Sequence, residues 1–277
     1  NCMTTVIARK KEMQWMKSIG VKGIKVDFFG GDKQHVMQLY EDILSDANDY
    51  GIQVIFHGCT LPRGWERMFP NYISSEAVLA SENTFFQEHH AKQEGFELTM
   101  HPFCRNTVAA MDWGGTIMNR YMSRDNKSRH RRYTSDVFEM AAAIVNQASV
   151  QCIAMYPNNL QELPQHEIDF LKSVPTTWDE TRFIDGYPGK YVVIARRHGS
   201  KWYVAALNGT NKPITLNLSL PMLTGSEVNL YYETPDKKSF WPKSAVKKTK
   251  INKNGKLKVT IQAMGGRIIF KFSVNIN

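Results

Sequence analysis

Apolar residues recur along the first half of this chain with two alternating periods. In some segments they return every three or four residues, which is the spacing of one face of an α-helix. Gly20 and Gly51 follow two of these segments, and glycine is common just past the end of a helix. Short apolar runs between them are typical of buried strands. The predicted elements, in chain order, are helix 8–18, strand 23–29, helix 33–50 and strand 52–58.

The same alternation continues further along the chain. Residues 72–78, 103–108 and 150–155 indicate further strands, and residues 134–147 place apolar side chains on one side of a helix. Successive strand–helix units predict parallel strands joined by right-handed crossovers. The count of about five strands is below the eight of a complete (β/α)₈ barrel. The first half is therefore predicted to be α/β, as the later part of such a barrel or a smaller open sheet.

A different pattern begins near residue 179. Residues 191–197 and 202–207 are largely apolar runs on either side of a short turn, which predicts a β-hairpin. Further alternating segments lie at 213–219, 227–232, 257–262 and 266–272. Together they predict a C-terminal antiparallel β-sandwich. The predicted domains are 1–178, the later part of the barrel, and 179–277, the sandwich.

Charge and composition narrow the possible functions. The 277 residues carry a formal net charge of +9, which by itself suggests nucleic acid as a partner. The basic residues cluster in one loop and among the late alternating strands, where lysines commonly solubilise sheet edges, so nucleic-acid binding is disfavoured. No apolar run approaches the roughly 20 residues that span a bilayer. The four cysteines are scattered, which disfavours a disulfide framework or a zinc site.

Titratable side chains follow the predicted strands at their carboxyl ends, where (β/α)₈ barrels have their active sites. In chain order they are Asp27, His57, Glu76 with Glu82, and Arg105 with Asp112. Two carboxylates from separate strands are the minimum apparatus for glycoside hydrolysis, one as acid and one as nucleophile or base. Asp27 taken alone is equally well explained as a cap of the following helix.

Neighbouring residues add to this chemistry. Lys25 lies two positions before Asp27 and so shares its face of the strand, where a cation favours an ionised carboxylate; an ion pair inside the barrel is the alternative. Glu76 and Glu82 offer the oxygen ligands that Ca²⁺ takes, although no EF-hand loop supports such a site. Four aromatic residues are either platforms for sugar rings or core, namely Trp65, Phe69, Tyr72 and Trp113.

Several motifs agree in order and spacing with one enzyme family. They are Lys25-Val26-Asp27-Phe28, His57-Gly58, Pro62-Arg63-Gly64, Glu76 through Glu82, His101-Pro102-Phe103-Cys104-Arg105-Asn106, Met111-Asp112-Trp113, and the hairpin that includes Ala195-Arg196-Arg197 and Trp202-Tyr203-Val204. With these motifs the chain resembles glycoside hydrolase family 97 over nearly its whole length. The resemblance implies an exo-acting α-glycosidase with an N-terminal β-sandwich, a central (β/α)₈ barrel, a C-terminal β-domain and a calcium ion in the active site.

The resemblance also implies a mechanism. The retaining branch of the family, similar to α-galactosidases, carries an aspartate nucleophile at the end of the fourth barrel strand, whereas the inverting branch, similar to α-glucosidases, has glycine there and a glutamate after the fifth-strand histidine. Asp27 and Gly58 both match the retaining branch. Glu82 falls on the acid/base position, and Glu76 with Glu82 on the calcium site. The expected substrate-binding residues are Lys25, His57, Arg105, Asp112 and Trp113.

The chain departs from the family at its front. The N-terminal sandwich and roughly the first three of the eight barrel strands have no counterpart here. The chain does not begin with Met and lacks the features of a signal peptide, so we expect a mature product or a piece of a longer protein. The missing half is the expected protein partner, and the resemblance alone suggests a bacterial periplasmic or secreted enzyme. The alternatives are an α-glucosidase of the same family and a non-catalytic carbohydrate-binding fragment.

Overall fold

A computed structural model describes residues 3–146, 148–237 and 239–271. These residues group into two compact units. The first contains the residues up to Ala80 together with Cys104–Trp113 and Ala148–Val150, and the second contains the remaining residues.

The first unit is a parallel sheet with helices in the connections. Its elements are helix α1 (Val6–Ser18), strand β1 (Gly23–Val26), helix α2 (Gln34–Asp49), strand β2 (Gln53–Phe56), helix α3 (Trp65–Met68) and strand β3 (Tyr72–Ser75). The strands lie in the order β1-β2-β3, and Met111 adds a parallel bridge to Ser75. The helices and strands predicted between residues 8 and 78 are confirmed, with strands that are shorter than the sequence pattern indicates.

An aromatic cluster forms the centre of this unit. The rings of Tyr40 and Phe29 stack at a centroid distance of 3.9 Å, and the centroid of the Trp65 ring lies 4.7 Å from that of Tyr40. Phe56 and Tyr72 complete the cluster. Trp65 and Tyr72 are therefore core residues and not exposed platforms for sugar rings, because their rings are buried against one another.

The second unit begins with helices and a short pair of parallel strands. Its elements are helix α4 (Ser81–Phe86), helix α5 (Glu88–Met100), strand β4 (Gly115–Ile117), helix α6 (Asp136–Val145), strand β5 (Cys152–Ala154), helix α7 (Asn159–Glu162) and helix α8 (Gln165–Ser173). Helix α6 begins where the Ser135 hydroxyl accepts a hydrogen bond from the Phe138 amide, a typical N-cap. The strand predicted over 103–108 is wrong, because 3₁₀ turns occupy His101–Phe103 and Arg105–Thr107.

The remainder of the second unit is antiparallel, as predicted. Its strands are β6 (Glu180–Tyr187), β7 (Tyr191–His198), β8 (Lys201–Asn208), β9 (Ile214–Ser219), β10 (Glu227–Thr234), β11 (Lys243–Lys250), β12 (Lys256–Ile261) and β13 (Gly266–Phe270). A six-stranded sheet has the order β11-β10-β13-β8-β7-β6, and β12 pairs with β9 in a second sheet. Apolar side chains of both sheets share one core, which includes Val204, Leu218 and Val259.

Two further features bear on the predicted organisation. The second unit combines the antiparallel sheets with helices that precede them in the chain. The bounds of the two compact units therefore differ from those of the predicted domains 1–178 and 179–277. Among the described residues, no helix is both long and apolar enough to cross a membrane.

Candidate active site

Four titratable residues lie at one edge of the parallel sheet in the first unit. Asp27 follows β1, His57 follows β2, Glu76 follows β3, and Asp112 follows the bridging Met111. Their backbones continue the hydrogen-bonding of the sheet. The His57 amide donates to Val26 O at 2.8 Å, the Glu76 amide to Phe56 O at 2.9 Å, and the Asp112 amide to Ser75 O at 2.9 Å. Because parallel strands end at the same edge, the side chains converge there.

His57 is the centre of this group. Its Nδ1 lies 3.3 Å from Glu76 Oε2 and 3.9 Å from Asp27 Oδ2, and its Nε2 lies 3.2 Å from Asp112 Oδ2. The Lys25 ammonium lies 3.7 Å from Asp112 Oδ2. Three carboxylates therefore lie around one imidazole, and one of them, that of Asp112, also lies beside the Lys25 ammonium.

Asp27 is the most accessible of the three carboxylates. Its side chain is 36% exposed, compared with 8% for Glu76 and 9% for Asp112. Helix α2 begins only at Gln34, with Lys33 at its N-cap, so Asp27 does not cap the next helix. Instead its Oδ1 accepts a hydrogen bond from the Phe28 amide at 2.6 Å. The structure therefore excludes the helix-cap interpretation of Asp27, and its prediction as a catalytic carboxylate stands as a prediction.

Gly58 is the residue that makes room for Asp27. A Cβ atom at this position would lie 2.6 Å from Asp27 Oδ1 and 3.0 Å from the Phe28 amide nitrogen, and the backbone φ is +47°. The Gly58 amide also donates to Glu76 Oε2 at 2.9 Å, while its carbonyl accepts from the Phe29 amide at 3.1 Å. A side chain here is therefore disfavoured both by the backbone conformation and by the carboxylate beside it.

Arg105 and Trp113 occupy buried positions. Arg105 lies in a 3₁₀ turn and not at a strand end as predicted. Its guanidinium donates four hydrogen bonds to backbone carbonyls, those of Ser75, Glu76, Ala109 and Ala110. Burial also lowers the pKa of Arg105 from its ordinary value. These contacts support a positioning role for Arg105, and Trp113, at 1% exposure, offers little surface for a ligand.

Glu82 belongs to the second unit. It is exposed in the first turn of α4, where the preceding Ser81 hydroxyl accepts a hydrogen bond from the Gly115 amide at 2.7 Å. The predicted calcium site joins Glu82 with Glu76. The carboxylate oxygens of Glu76 are the type of ligand that Ca²⁺ prefers, so the donor chemistry at this residue fits the ion.

Two parts of this arrangement were not evident from the sequence. The contact between Gly58 and the Asp27 carboxylate joins two strands, and only the glycine itself could have suggested it. Arg129 and His130, which bond to backbone carbonyls of α4, appeared in the sequence only as part of a basic loop. Backbone-directed contacts of this kind have no spacing pattern by which they could be recognised.

Two family models match this chain, one near its beginning and one near its end. The model described as "Glycoside hydrolase 97" matches residues 3–78. The model described as "Glycosyl-hydrolase 97 C-terminal, oligomerisation" matches residues 177–271. The two matches lie in the order that the motifs indicate.

Individual relatives agree with these matches. A "Probable retaining alpha-galactosidase" of Streptomyces bingchenggensis is 30% identical over 229 residues, which are 80% of this chain and 33% of that protein. The crystal structure of a beta-arabinopyranosidase is 54% identical with a TM-score of 0.93, covering 98% of this chain and 42% of that one. A family 97 enzyme of Pseudoalteromonas sp. strain K8 in complex with panose shares the fold at 20% identity, with a TM-score of 0.78 and coverage of 94% and 43%. The chain spans less than half the length of each.

Proposed function

The chain belongs to glycoside hydrolase family 97, and from this premise we propose that it supplies the nucleophile of a retaining exo-α-glycosidase. The observation that carries the proposal is the pairing of Asp27 with Gly58. A carboxylate stands at the end of β1, and the space that a side chain of residue 58 would need is occupied by that carboxylate. This supports a nucleophile at position 27 and disfavours a general base at position 58.

In the proposed mechanism Asp27 attacks the anomeric carbon while Glu82 protonates the departing oxygen. Water then hydrolyses the glycosyl-enzyme, with Glu82 acting as the base. Retaining enzymes hold these two carboxyl groups about 5–5.5 Å apart, and that is the separation we expect between Asp27 and Glu82 when substrate is bound. His57 lies beside the proposed nucleophile and Lys25 lies beside Asp112, and both would contact the hydroxyl groups of the bound sugar.

A calcium ion is part of the proposal. Glu76 and Glu82 would hold it, because carboxylate oxygens are hard ligands of the type that Ca²⁺ takes. When bound, the ion would supply positive charge that polarises and orients the substrate. Within the protein, the hydrogen bond from the Gly58 amide already fixes the Glu76 carboxylate in place.

Two substrates share the stereochemistry that this site would accept. L-Arabinopyranose is D-galactopyranose without its C6 hydroxymethyl group, and the β-L-arabinopyranoside has the anomeric arrangement of the α-D-galactoside. We propose the α-galactoside on the basis of the named relative, with the β-L-arabinopyranoside as a second candidate favoured by the 54% identity to a beta-arabinopyranosidase. An α-glucosidase and a non-catalytic sugar-binding fragment remain the alternatives.

The proposed enzyme has a complete (β/α)₈ barrel. Strand β1 is an edge of the parallel sheet as described, and the relatives that match this chain are more than twice as long. We propose that further strands, supplied by a segment equivalent to the front of those relatives, pair with β1. Periplasmic or secreted location stays a prediction.

The test uses the protein at its full natural length. Nitrophenyl α-galactoside, β-L-arabinopyranoside and α-glucoside are compared, with and without EDTA, and the anomeric configuration of the first product is followed by NMR. We expect turnover of a galacto-configured substrate with retention, and loss of turnover after EDTA treatment. An inverted first product would overturn the mechanism, and sugar binding without turnover would favour the non-catalytic alternative.

The nucleophile is tested separately. Asp27→Gly removes the attacking carboxylate, so activity should fall by about three orders of magnitude or more, and azide should restore turnover by forming a glycosyl azide of inverted configuration. Asp32→Gly is the matched control, since Asp32 is an exposed aspartate in the same β1–α2 connection. Full activity of Asp27→Gly without azide would remove Asp27 from this role.

A further inference from the structure

Helix α4 places two aromatic rings beside Glu82. Phe85 and Phe86 follow Glu82 by three and four positions, so all three side chains lie on one face of the helix. Phe86 is 60% exposed, and its ring meets that of Phe85 edge-on at a centroid distance of 5.8 Å. An exposed aromatic ring therefore stands one helical turn from the proposed acid/base.

The loop between β4 and α6 holds this pair of rings. Arg129 Nη2 donates to Phe86 O at 3.0 Å, and the Arg129 guanidinium lies 4.8 Å from the centroid of the Phe85 ring. His130 Nε2 lies 2.8 Å from Thr84 O, the carbonyl at the middle of the helix. Arg129 itself has a φ of +66°, a conformation that non-glycine residues seldom adopt. Such a residue persists only where its surroundings fix it, which indicates a rigid loop.

The role of an acid catalyst places the leaving group close to Glu82, and therefore close to these rings. Glu82 has to approach the leaving-group oxygen to roughly 3 Å in order to protonate it. The first ring of the leaving group is bonded to that oxygen, so it lies next to Glu82. Side chains four positions apart on a helix have Cβ atoms about 5–6 Å apart, so the Phe86 ring is within reach of a leaving group that lies next to Glu82.

We propose that Phe86, supported by Phe85 and Arg129, forms the leaving-group subsite of this enzyme. The subsite takes a ring-shaped leaving group, a sugar ring or an aryl ring, whose apolar face packs on the exposed Phe86 side chain. The proposal rests on the proposed function, because it requires that Glu82 is the acid/base.

The experiment compares leaving groups that do and do not carry a ring. The full-length protein is assayed with the nitrophenyl glycoside, a disaccharide and the glycosyl fluoride of its preferred sugar. Phe86→Ala should lower kcat/KM about tenfold on the two ring-bearing substrates, the effect of one lost aromatic contact, and leave the fluoride within about twofold. Phe86→Tyr keeps the ring and should retain activity on all three.

Phe183→Ala is the matched control. Phe183 lies on strand β6 in the same unit and is also 60% exposed, so its replacement removes an equal apolar surface away from α4. Equal losses on all three substrates, or none on any, would overturn the subsite while the proposed function stands. If the wild-type protein does not hydrolyse the fluoride, or Asp27→Gly remains fully active, the proposed function fails and the subsite with it.

Discussion

At the scale of single residues, the site is shaped by a glycine as much as by its acids. Gly58 contributes no side chain, yet a Cβ in its place would meet the Asp27 carboxylate and the Phe28 amide. The identity of residue 58 therefore decides whether residue 27 can be an aspartate in this conformation.

Gly58→Ala should abolish most activity. The added methyl group displaces the Asp27 carboxylate, and a misplacement of about 1 Å lowers rates by roughly a hundredfold. Gly51→Ala is the control: Gly51 has a φ of +68° but nothing within 4 Å of its Cβ position. That variant should lose about 1 kcal/mol of stability and keep its activity. Equal kcat/KM for the two variants would contradict the steric argument.

Arg105 should matter for stability. Arg105→Lys replaces the planar guanidinium group with a single ammonium group and leaves buried carbonyls without hydrogen-bond donors. We therefore expect the free energy of unfolding to fall by about 3 kcal/mol. Urea unfolding measures this. Arg67→Lys, at an exposed position of α3, should change stability by less than about 0.5 kcal/mol. A small effect at Arg105 would instead favour its predicted contact with substrate.

At the scale of elements, α6 is tied to the antiparallel sheet through a buried carboxyl group. Glu233 Oε1 accepts a hydrogen bond from the Gly266 amide at 2.8 Å and another from the Ser135 hydroxyl that caps α6. Burial raises the pKa of Glu233 to about 7. Nearby, burial and the charge of Asp136 raise the pKa of Glu167 to about 8.

These raised pKa values predict that stability falls as pH rises from about 4.5 towards 7 and 8. The folded protein keeps protons that the unfolded chain releases above about pH 4.5, so the stabilisation is complete below that pH and is lost as pH rises through 7 and 8. Glu233→Gln should flatten this decline by on the order of 2 kcal/mol between pH 5 and 9. Urea unfolding across that range is the measurement, with Glu227→Gln as the exposed control. An unchanged slope would contradict the assignment.

The elements also show what sequence patterns can and cannot predict. Helices α1 and α2 were predicted from apolar residues at helical spacing, and the β7–β8 hairpin from two apolar runs on either side of a short turn. Strands β6 and β11 were not, because both are edge strands whose side chains are largely exposed on both faces. The turn at Arg105 was mistaken for a strand, since its shape depends on hydrogen bonds to distant carbonyls.

For the candidate site, strand-end position predicted that Asp27, His57, Glu76 and Asp112 would lie together, and they do lie at one edge, because parallel strands align their ends wherever they pair. Their roles stay predictions. Their mutual distances and the burial of Trp113 required the fold. The lysines of β11, interpreted as solubilising an edge, do lie on the outermost strand of the six-stranded sheet.

At the scale of the whole molecule, α1 exposes apolar side chains next to a sheet edge. In the first unit, Trp15 is 57% exposed, and Val6 and Ile7 on this helix and Ile19 just past its end are also exposed. We expect the front segment of a full-length enzyme to cover them. Acrylamide should therefore quench the Trp15 fluorescence more strongly in the isolated 277-residue chain than in the full-length protein, with Trp15→Phe identifying its signal. Equal quenching in both would contradict the proposed completion of the barrel.

The candidate active-site residues are attached to the sheet by their main-chain amides, and this has an evolutionary consequence. The hydrogen bonds that His57, Glu76 and Asp112 donate to the preceding strand do not depend on the identity of their side chains. Mutation at these positions can exchange one catalytic group for another while the scaffold persists. Hydrolases with different substrates, and even different stereochemical outcomes, can thus diverge from one ancestor through a few substitutions along a single rim.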